Sequence, residues 1–170
     1  MYRILIADDE KDERSVIRFL LDKFQFQLDI IEAANGKDAI HLLEKESIDI
    51  LFTDVKMPFV NGIDLAKMAK SINPNIQLIF FSGHDDFHFV KNALSLRAVD
   101  YILKPVNPNE LKQTISSVIQ NMEQQNRELK REKSNVAFLK NHLLYRLLNG
   151  TSIDVLKNEY PFIDIDYLHE

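Results

Sequence analysis

With 45% hydrophobic residues, this chain of 170 residues carries enough apolar surface for one domain of ordinary size plus an appendage, which excludes a disordered chain. It contains no cysteine, so disulfides and cysteine-ligated metals are excluded, and its formal net charge of −5 argues against a surface dominated by nucleic-acid binding. The glycines Gly36, Gly62, Gly83 and Gly150 form neither a G-x-G-x-x-G nor a Walker loop, which disfavours dinucleotide and P-loop chemistry.

Tyr2 to Ala7 alternates and then runs apolar through Ile4-Leu5-Ile6, predicting a buried first strand that ends at Asp8-Asp9. The chain enters this strand directly, without a signal-peptide pattern. No later apolar run approaches the roughly 18 residues of a membrane span, so a cytoplasmic protein without membrane contact is expected. Val16, Ile17, Phe19, Leu20 and Phe24 supply a helical stripe, with Asp9 as N-cap and Asp12 and Glu13 complementing the helix dipole. Leu28 to Ala33 is a second strand, punctuated by Asn35-Gly36. Ala39, Ile40, Leu42 and Leu43 mark a second helix. Ile50, Leu51 and Phe52 read as a third, fully buried strand that runs out at Asp54 before the Met57-Pro58 and Asn61-Gly62 turns. Ile63 to Ser71 is a third helix, ended by Asn73-Pro74. Ile76 to Phe81 is a fourth strand ending at Ser82-Gly83, Asp85 to Leu96 a fourth helix, and Val99 to Leu103 a fifth strand ending at Lys104-Pro105.

Five strand–helix repeats predict an α/β fold: a parallel sheet with helices on both faces and right-handed crossovers. Five strands in about 120 residues suit the flavodoxin-like order 2-1-3-4-5. That order gathers the C-terminal ends of the first, third, fourth and fifth strands into one crevice, where open α/β sheets place their ligands. The residues at those ends are Asp8, Asp9, Asp54, Ser82 and Lys104. Crowded carboxylates repel unless a cation joins them, and a hard divalent ion with oxygen ligands, Mg²⁺ foremost, answers that repulsion. A carboxylate nucleophile, Mg²⁺, an ammonium and a hydroxyl form a set suited to phosphoryl transfer. Taken singly, each residue has a plainer reading. Asp54, Asp8 and Asp9 serve as turn or cap residues, Ser82 is a strand-end hydroxyl, and Lys104 is a solvated lysine. Their coincidence at four strand ends of one sheet edge favours a shared site.

The segments Ile6-Ala7-Asp8-Asp9-Glu10, Thr53-Asp54-Val55-Lys56-Met57-Pro58, Phe81-Ser82-Gly83 and Asp100-Tyr101-Ile102-Leu103-Lys104-Pro105 resemble, in order and spacing, the receiver domain of bacterial two-component response regulators. The resemblance covers roughly residues 1–125. It implies that Asp54 accepts phosphoryl from a sensor histidine kinase or a small acyl phosphate. It further implies that Asp9, Asp54 and the backbone carbonyl of Lys56 bind Mg²⁺ directly, with Asp8 acting through metal-bound water. By the same resemblance Ser82 hydrogen-bonds the phosphoryl group, Lys104 pairs with it, the Lys104–Pro105 peptide is cis, and Tyr101 is an aromatic switch that turns inward as Ser82 moves. Such a chain is a signalling switch that catalyses only its own phosphorylation and dephosphorylation.

Two features depart from the family pattern or add to it. Leu96-Arg97-Ala98 stands where the family often has a glycine after the fourth helix, and an arginine at φ > 0 would strain that corner. Lys56 and His84, each two residues past a site residue, are placed to screen the phosphoryl group from water and tune its lifetime. Two other classes share parts of the pattern. An aspartyl-phosphate hydrolase of the haloacid dehalogenase type needs a second aspartate where Lys56 stands. A receiver-like dimerisation scaffold that works without phosphorylation leaves the complete acidic set unexplained.

Asn107-Pro108-Asn109-Glu110 starts a long fifth helix, with Asn107 as cap, Pro108 at the first position and Glu110 in a capping box. No proline or glycine follows until Gly150, which permits about 40 residues and roughly 60 Å of helix. A heptad seam runs Leu111, Ile115, Val118, Met122, Gln125, Leu129, Glu132, Val136, Leu139, Leu143. Two readings stay open: a solvated connecting helix broken near Ser134-Asn135, or a parallel coiled-coil homodimer whose polar seam positions fix the register. After Gly150, Thr151 or Ser152 caps a short helix, and the apolar tail is expected to pack on the long helix or on a partner subunit. The expected division is a receiver domain over 1–125, the long helix and linker over 107–149, and an effector-proximal fragment over 150–170. The whole resembles family members that end in an AraC-type helix-turn-helix. DNA binding is therefore expected only through a domain beyond residue 170. A homodimer is expected through the long helix or through the fourth-helix, fifth-strand, fifth-helix face.

Overall fold

The structure, a computed structural model, describes residues 1–83, 95–96 and 98–160. The predicted helix over Asp85 to Leu96, apart from Ser95 and Leu96, lies outside the described residues, as do His84, Arg97 and the tail from Pro161. The chain divides into two compact units, Met1–Ile119 and Gln120–Glu170.

The first unit is built on one parallel sheet in the order β2-β1-β3-β4-β5. Its strands are β1 (Tyr2–Ala7), β2 (Leu28–Ala33), β3 (Ile50–Asp54), β4 (Gln77–Ser82) and β5 (Asp100–Leu103). This is the flavodoxin-like order expected from the alternating pattern. The central strands are near-continuous apolar runs because both faces of the sheet are covered, and β3 is buried along its whole length. Leu5, Leu51, Leu78 and Phe80 share a core with Ala39 and Leu43 of α2 (Gly36–Lys45) and with Leu65, Ala66 and Ala69 of α3 (Gly62–Ile72). Side chains alternate across a strand, so Ile4, Ile6, Phe52 and Phe81 point to the other face, and all four are buried. The Phe52 and Phe81 rings lie 4.8 Å apart between centroids.

In α1 (Lys11–Lys23) the structure buries Ile17, Leu20 and Leu21. Val16 and Phe19, predicted in the apolar stripe, point outward at 46% and 63% exposure. The predicted cap also needs correction. Glu10, not Asp9, occupies the N-cap position, and it makes no side-chain capping bond. The reason is local: Asp8 Oδ1 accepts the Glu10 N–H at 2.6 Å, which closes the turn one residue later and leaves Asp9 outside the helix. By contrast, Asn35 and Asn61 cap α2 and α3 by accepting the Asp38 and Asp64 N–H groups, each at 2.9 Å.

The long helix, α4 among the described helices, runs unbroken from Pro108 to Leu148, through Ser134 and Asn135. Asn107 Oδ1 accepts from the N–H groups of Asn109 (2.9 Å) and Glu110 (3.3 Å), as the start signal implies. Within the first unit, Leu111, Ile115 and Val118 are buried, Lys112 Nζ sits 5.3 Å over the Phe24 ring, and the Thr114 hydroxyl donates to Asp100. In the second unit α5 (Ile153–Glu159) folds back so that Leu156 meets Leu143, with Leu139, Leu147 and Tyr160 around them. Arg146 and Glu159 pair beside this contact. Ser152 stands at the N-cap of α5 without a side-chain capping bond. No helix among the described residues is long and apolar enough to cross a membrane.

Candidate functional site

The register of the sheet assembles the site. Ala7 lies opposite Thr53, Asp54 opposite Phe81, and Ser82 opposite Leu103. Asp8, Asp54, Ser82 and Lys104 therefore arrive together at one edge, each at the end of its strand or one residue beyond. The structure thus brings these four predicted residues to one end of the sheet.

Lys104 is its centre. Its Nζ donates to Asp8 Oδ2 and to Asp54 Oδ2, both at 2.9 Å, and lies 3.7 Å from Glu10 Oε1. The ammonium also sits 4.7 Å over the Phe81 ring, and the Lys104 N–H donates to the Ser82 carbonyl at 2.8 Å. The Lys104–Pro105 peptide is cis. Asp8 is fully buried and Asp54 is 5% exposed, whereas Asp9 faces solvent. Each of these three aspartates presents an oxygen within 4.8 Å of the others'. Asp54 Oδ1 accepts the Lys56 N–H at 3.2 Å, and the Thr53 hydroxyl donates to the Asp54 carbonyl at 2.9 Å. Ser82 is buried at the end of β4. Tyr101 is half-buried and packs, with Leu96 and Ala98, against the core shared by α2 and α3.

The electrostatics are unbalanced. Burial pushes the Asp8 carboxyl up, against the pull of Lys104 and the Glu10 N–H, and the Asp9 charge adds to the rise. Burial likewise pushes Asp54 up against the pull of Lys104, and the Asp8 charge adds to it. Burial alone would lower the Lys104 ammonium, but its bonds to Asp8 and Asp54 outweigh that and hold it well above its ordinary value. One ammonium is thus not enough for its neighbours. Asp8, Asp9 and Asp54 set three carboxylates against one ammonium that Glu10 also approaches, so negative charge is in excess and a divalent cation would offset it. The donors are hard oxygens, two buried and one facing solvent. Such a set fits an ion that keeps several of its waters, as Mg²⁺ does.

Two contributors escaped sequence reasoning. Arg14 of α1 donates from Nη1 to the Asp8 carbonyl at 2.7 Å, and Gly62 at the start of α3 lies against the Asp54 carbonyl. Arg14 and Arg18, four residues apart, signal a charged flank on α1, but nothing local names the Glu32 they share in β2. Gly62 follows an asparagine and reads as an ordinary turn.

The family model described as response regulator receiver domain matches residues 4–116. Among curated proteins, the chain is 31% identical over 147 residues to the uncharacterized transcriptional regulatory protein YesN of Bacillus subtilis, covering 84% of this chain and 38% of that protein. It is 27% identical over 126 residues to the transcriptional regulatory protein HptR of Staphylococcus aureus, covering 74% of this chain and 49% of that one. The chain therefore spans less than half the length of these relatives. Among solved structures, it matches the receiver domain of AraT, a response regulator from Geobacillus stearothermophilus, with a TM-score of 0.70 and 35% identity, over 74% of this chain and 98% of that one. A two-component transcriptional regulator AraC from Clostridium phytofermentans matches with a TM-score of 0.61 and 35% identity, over 72% of this chain and 98% of that one. With the sheet order, the strand-end residues and a family model spanning most of the first unit in agreement, this chain belongs to the response regulator receiver domain family of two-component systems.

Proposed function

We propose that Asp54 is the phosphoacceptor of a phosphorylation-controlled switch, with phosphoryl supplied by a sensor histidine kinase or a small acyl phosphate. The observation that carries this reading is the Lys104 ammonium shared between two buried carboxylates, Asp8 and Asp54, at 2.9 Å each. An Asp54 oxygen forms the new bond to phosphorus as the bond from phosphorus to the donor breaks. Asp9, Asp54 and the Lys56 carbonyl would hold Mg²⁺ directly, and Asp8 would hold it through water. When bound, Mg²⁺ neutralises charge on the transferring group. Asp8 keeps Lys104 in place while its bond to Asp54 is exchanged for one to a phosphoryl oxygen. Ser82 donates its hydroxyl to another oxygen, and Tyr101 turns inward behind it. Receivers are signalling switches in which phosphorylation biases an equilibrium between two arrangements.

The names of the relatives support a transcriptional output, through a DNA-binding domain expected beyond residue 170. In this reading the receiver spans 1–125, the linker 107–149 and an effector-proximal fragment 150–170, all in the cytoplasm. The test is phosphorylation of the chain with Mg²⁺ and acetyl phosphate, read by intact mass and by assembly state, with Asp54→Asn as control. One phosphoryl group per chain, absent from the control, is the expected result. No Asp54-dependent gain refutes the reading. Rapid turnover of many phosphoesters points to the hydrolase class, and assembly indifferent to Asp54 points to the scaffold.

The proposed homodimer uses the seam of the long helix. Leu129 and Val136 are 52% and 54% exposed, and Gln125 and Glu132 complete the uncovered seam. In a parallel pair Glu128 of one helix faces Lys133 of the other, whereas an antiparallel pair offers no such match. Facing Glu132 carboxylates weaken the seam. Glu132→Leu is therefore expected to tighten dimerisation at least tenfold, or about 1.4 kcal/mol, by sedimentation equilibrium. Adding Val136→Lys should reverse the gain. An unchanged monomer–dimer equilibrium in Glu132→Leu would rule the seam out.

A further inference from the structure

The β1 ladder ends at Ala7, which pairs with Ala33 and Thr53. Asp8 still donates its N–H to the Ala33 carbonyl at 3.2 Å, but its own carbonyl lies past the last paired residue. A backbone carbonyl at that depth requires a donor. Arg14 supplies it from the second turn of α1, through Nη1 at 2.7 Å. The same guanidinium is fixed at a second point, where Nε donates to Glu32 Oε2 at 3.2 Å. Glu32, on β2, is in turn held by Arg18, whose Nη2 also donates to the Ile30 carbonyl at 3.2 Å. Arg18 first, then Arg14, holds the Glu32 carboxyl below the usual carboxylate range, so it remains an ionised anchor. The Arg14 side chain is only 12% exposed, against 43% for Arg18.

The Asp8 carbonyl oxygen lies in the plane of the peptide that joins Asp8 to Asp9. Fixing that oxygen fixes the rotation of the plane. It therefore sets ψ of Asp8 and φ of Asp9, and with them the direction in which the Asp9 side chain leaves the backbone. The Asp8 side chain has its own restraints, the Glu10 N–H at 2.6 Å and Lys104 at 2.9 Å. Asp9 is exposed, and among the described residues none hydrogen-bonds its side chain. Its aim depends on the backbone.

We propose that Arg14 is a positioning residue: by holding the Asp8–Asp9 peptide plane, it aims the Asp9 carboxylate at the cation site. The inference rests on the Mg²⁺ reading above. It differs from a purely structural role in tying α1 to β2, because Arg18 shares that role through Glu32 without touching the Asp8 carbonyl.

The experiment uses the full chain and compares Arg14→Gln, Arg14→Lys and Arg18→Gln. Mg²⁺ affinity is read by isothermal titration, fold stability by urea midpoint, and the Asp9 and Glu10 amide resonances in metal-free protein. Arg14→Gln is expected to weaken Mg²⁺ about tenfold, as loss of a group that orients a metal ligand does, and to shift both resonances. Arg14→Lys, which keeps one donor, should recover part of the affinity. Arg18→Gln should stay within about twofold of wild type for Mg²⁺ even where its urea midpoint falls as far. Wild-type affinity in Arg14→Gln, or equal losses in the Arg14 and Arg18 variants, would overturn the inference while leaving the metal reading intact. A wild-type chain that binds no Mg²⁺ would overturn both.

Discussion

Gly62→Ala is expected to destabilise the first unit by about 3 kcal/mol, at the upper end for overpacking a core. A Cβ at this position would lie 2.0 Å from the Asp54 carbonyl oxygen, 2.9 Å from its carbonyl carbon and 3.1 Å from Thr53 Oγ1. None of these can yield cheaply. Asp54 and Thr53 belong to the central strand β3, which is paired on both sides. Thr53 Oγ1 is tied to the Asp54 carbonyl at 2.9 Å. The helix must withdraw instead. That breaks the bond from the Gly62 N–H to the Val55 carbonyl (2.9 Å) and lifts Leu65, Ala66 and Ala69, all fully buried, from the core. Because the clash falls on the backbone of Asp54 itself, the phosphoryl acceptance proposed for Asp54 should fall with stability. Urea unfolding followed by circular dichroism tests the first effect. Lys67→Ala, exposed on the same helix, is the control and should stay within about 0.5 kcal/mol of wild type. A Gly62→Ala midpoint equal to that control would mean that α3 withdraws freely.

The contrast between Gly62 and Asp54 shows what the sequence made legible. Strand-end residues such as Asp54 and Lys104 were readable because buried strands are apolar runs, and a polar residue marks where the run stops. Alternating strands and helices then left few sheet orders, and the flavodoxin-like one brought those ends together. Gly62 carried no such mark, since its role is a close approach between α3 and β3 that only tertiary packing creates. The same holds for Arg14 and Arg18. Like charges at i and i+4 read as a solvated flank, and their common partner Glu32 belongs to another strand. Of the predicted stripe of α1 the core covers Ile17 and Leu20, with Leu21 added, while Val16 and Phe19 face outward. At Ser134 the polar composition suggested a break. Serine costs a helix only a fraction of a kcal/mol, and α4 passes through it.

Lys104→Met is expected to lower stability by about 3 kcal/mol at neutral pH without Mg²⁺, because removing one partner from a buried ion pair leaves uncompensated charge. Methionine keeps the apolar stem that packs near Phe81 while deleting the ammonium that Asp8 and Asp54 share. Burial already raises both carboxyls and Lys104 opposes that rise, so without the ammonium the pair must either stay ionised with no counter-charge or take up a proton, and either route costs stability at neutral pH. Asp54→Asn should act in the opposite direction. It removes one buried charge while Asp8 still occupies Lys104, and a gain of about 1 kcal/mol is expected from relieved repulsion and desolvation. In the double variant only the Asp8 charge lacks its counter-ion, and Asp8 keeps the Glu10 N–H, so the deficit should be smaller than that of Lys104→Met. Chemical denaturation of the four proteins gives the coupling directly. Millimolar Mg²⁺ should restore Lys104→Met more than it stabilises wild type, since the cation then meets three carboxylates with no competing ammonium. A Lys104→Met variant as stable as wild type would mean that Asp8 and Asp54 do not need the ammonium. The charge argument for a cation at this sheet edge would then lose its footing.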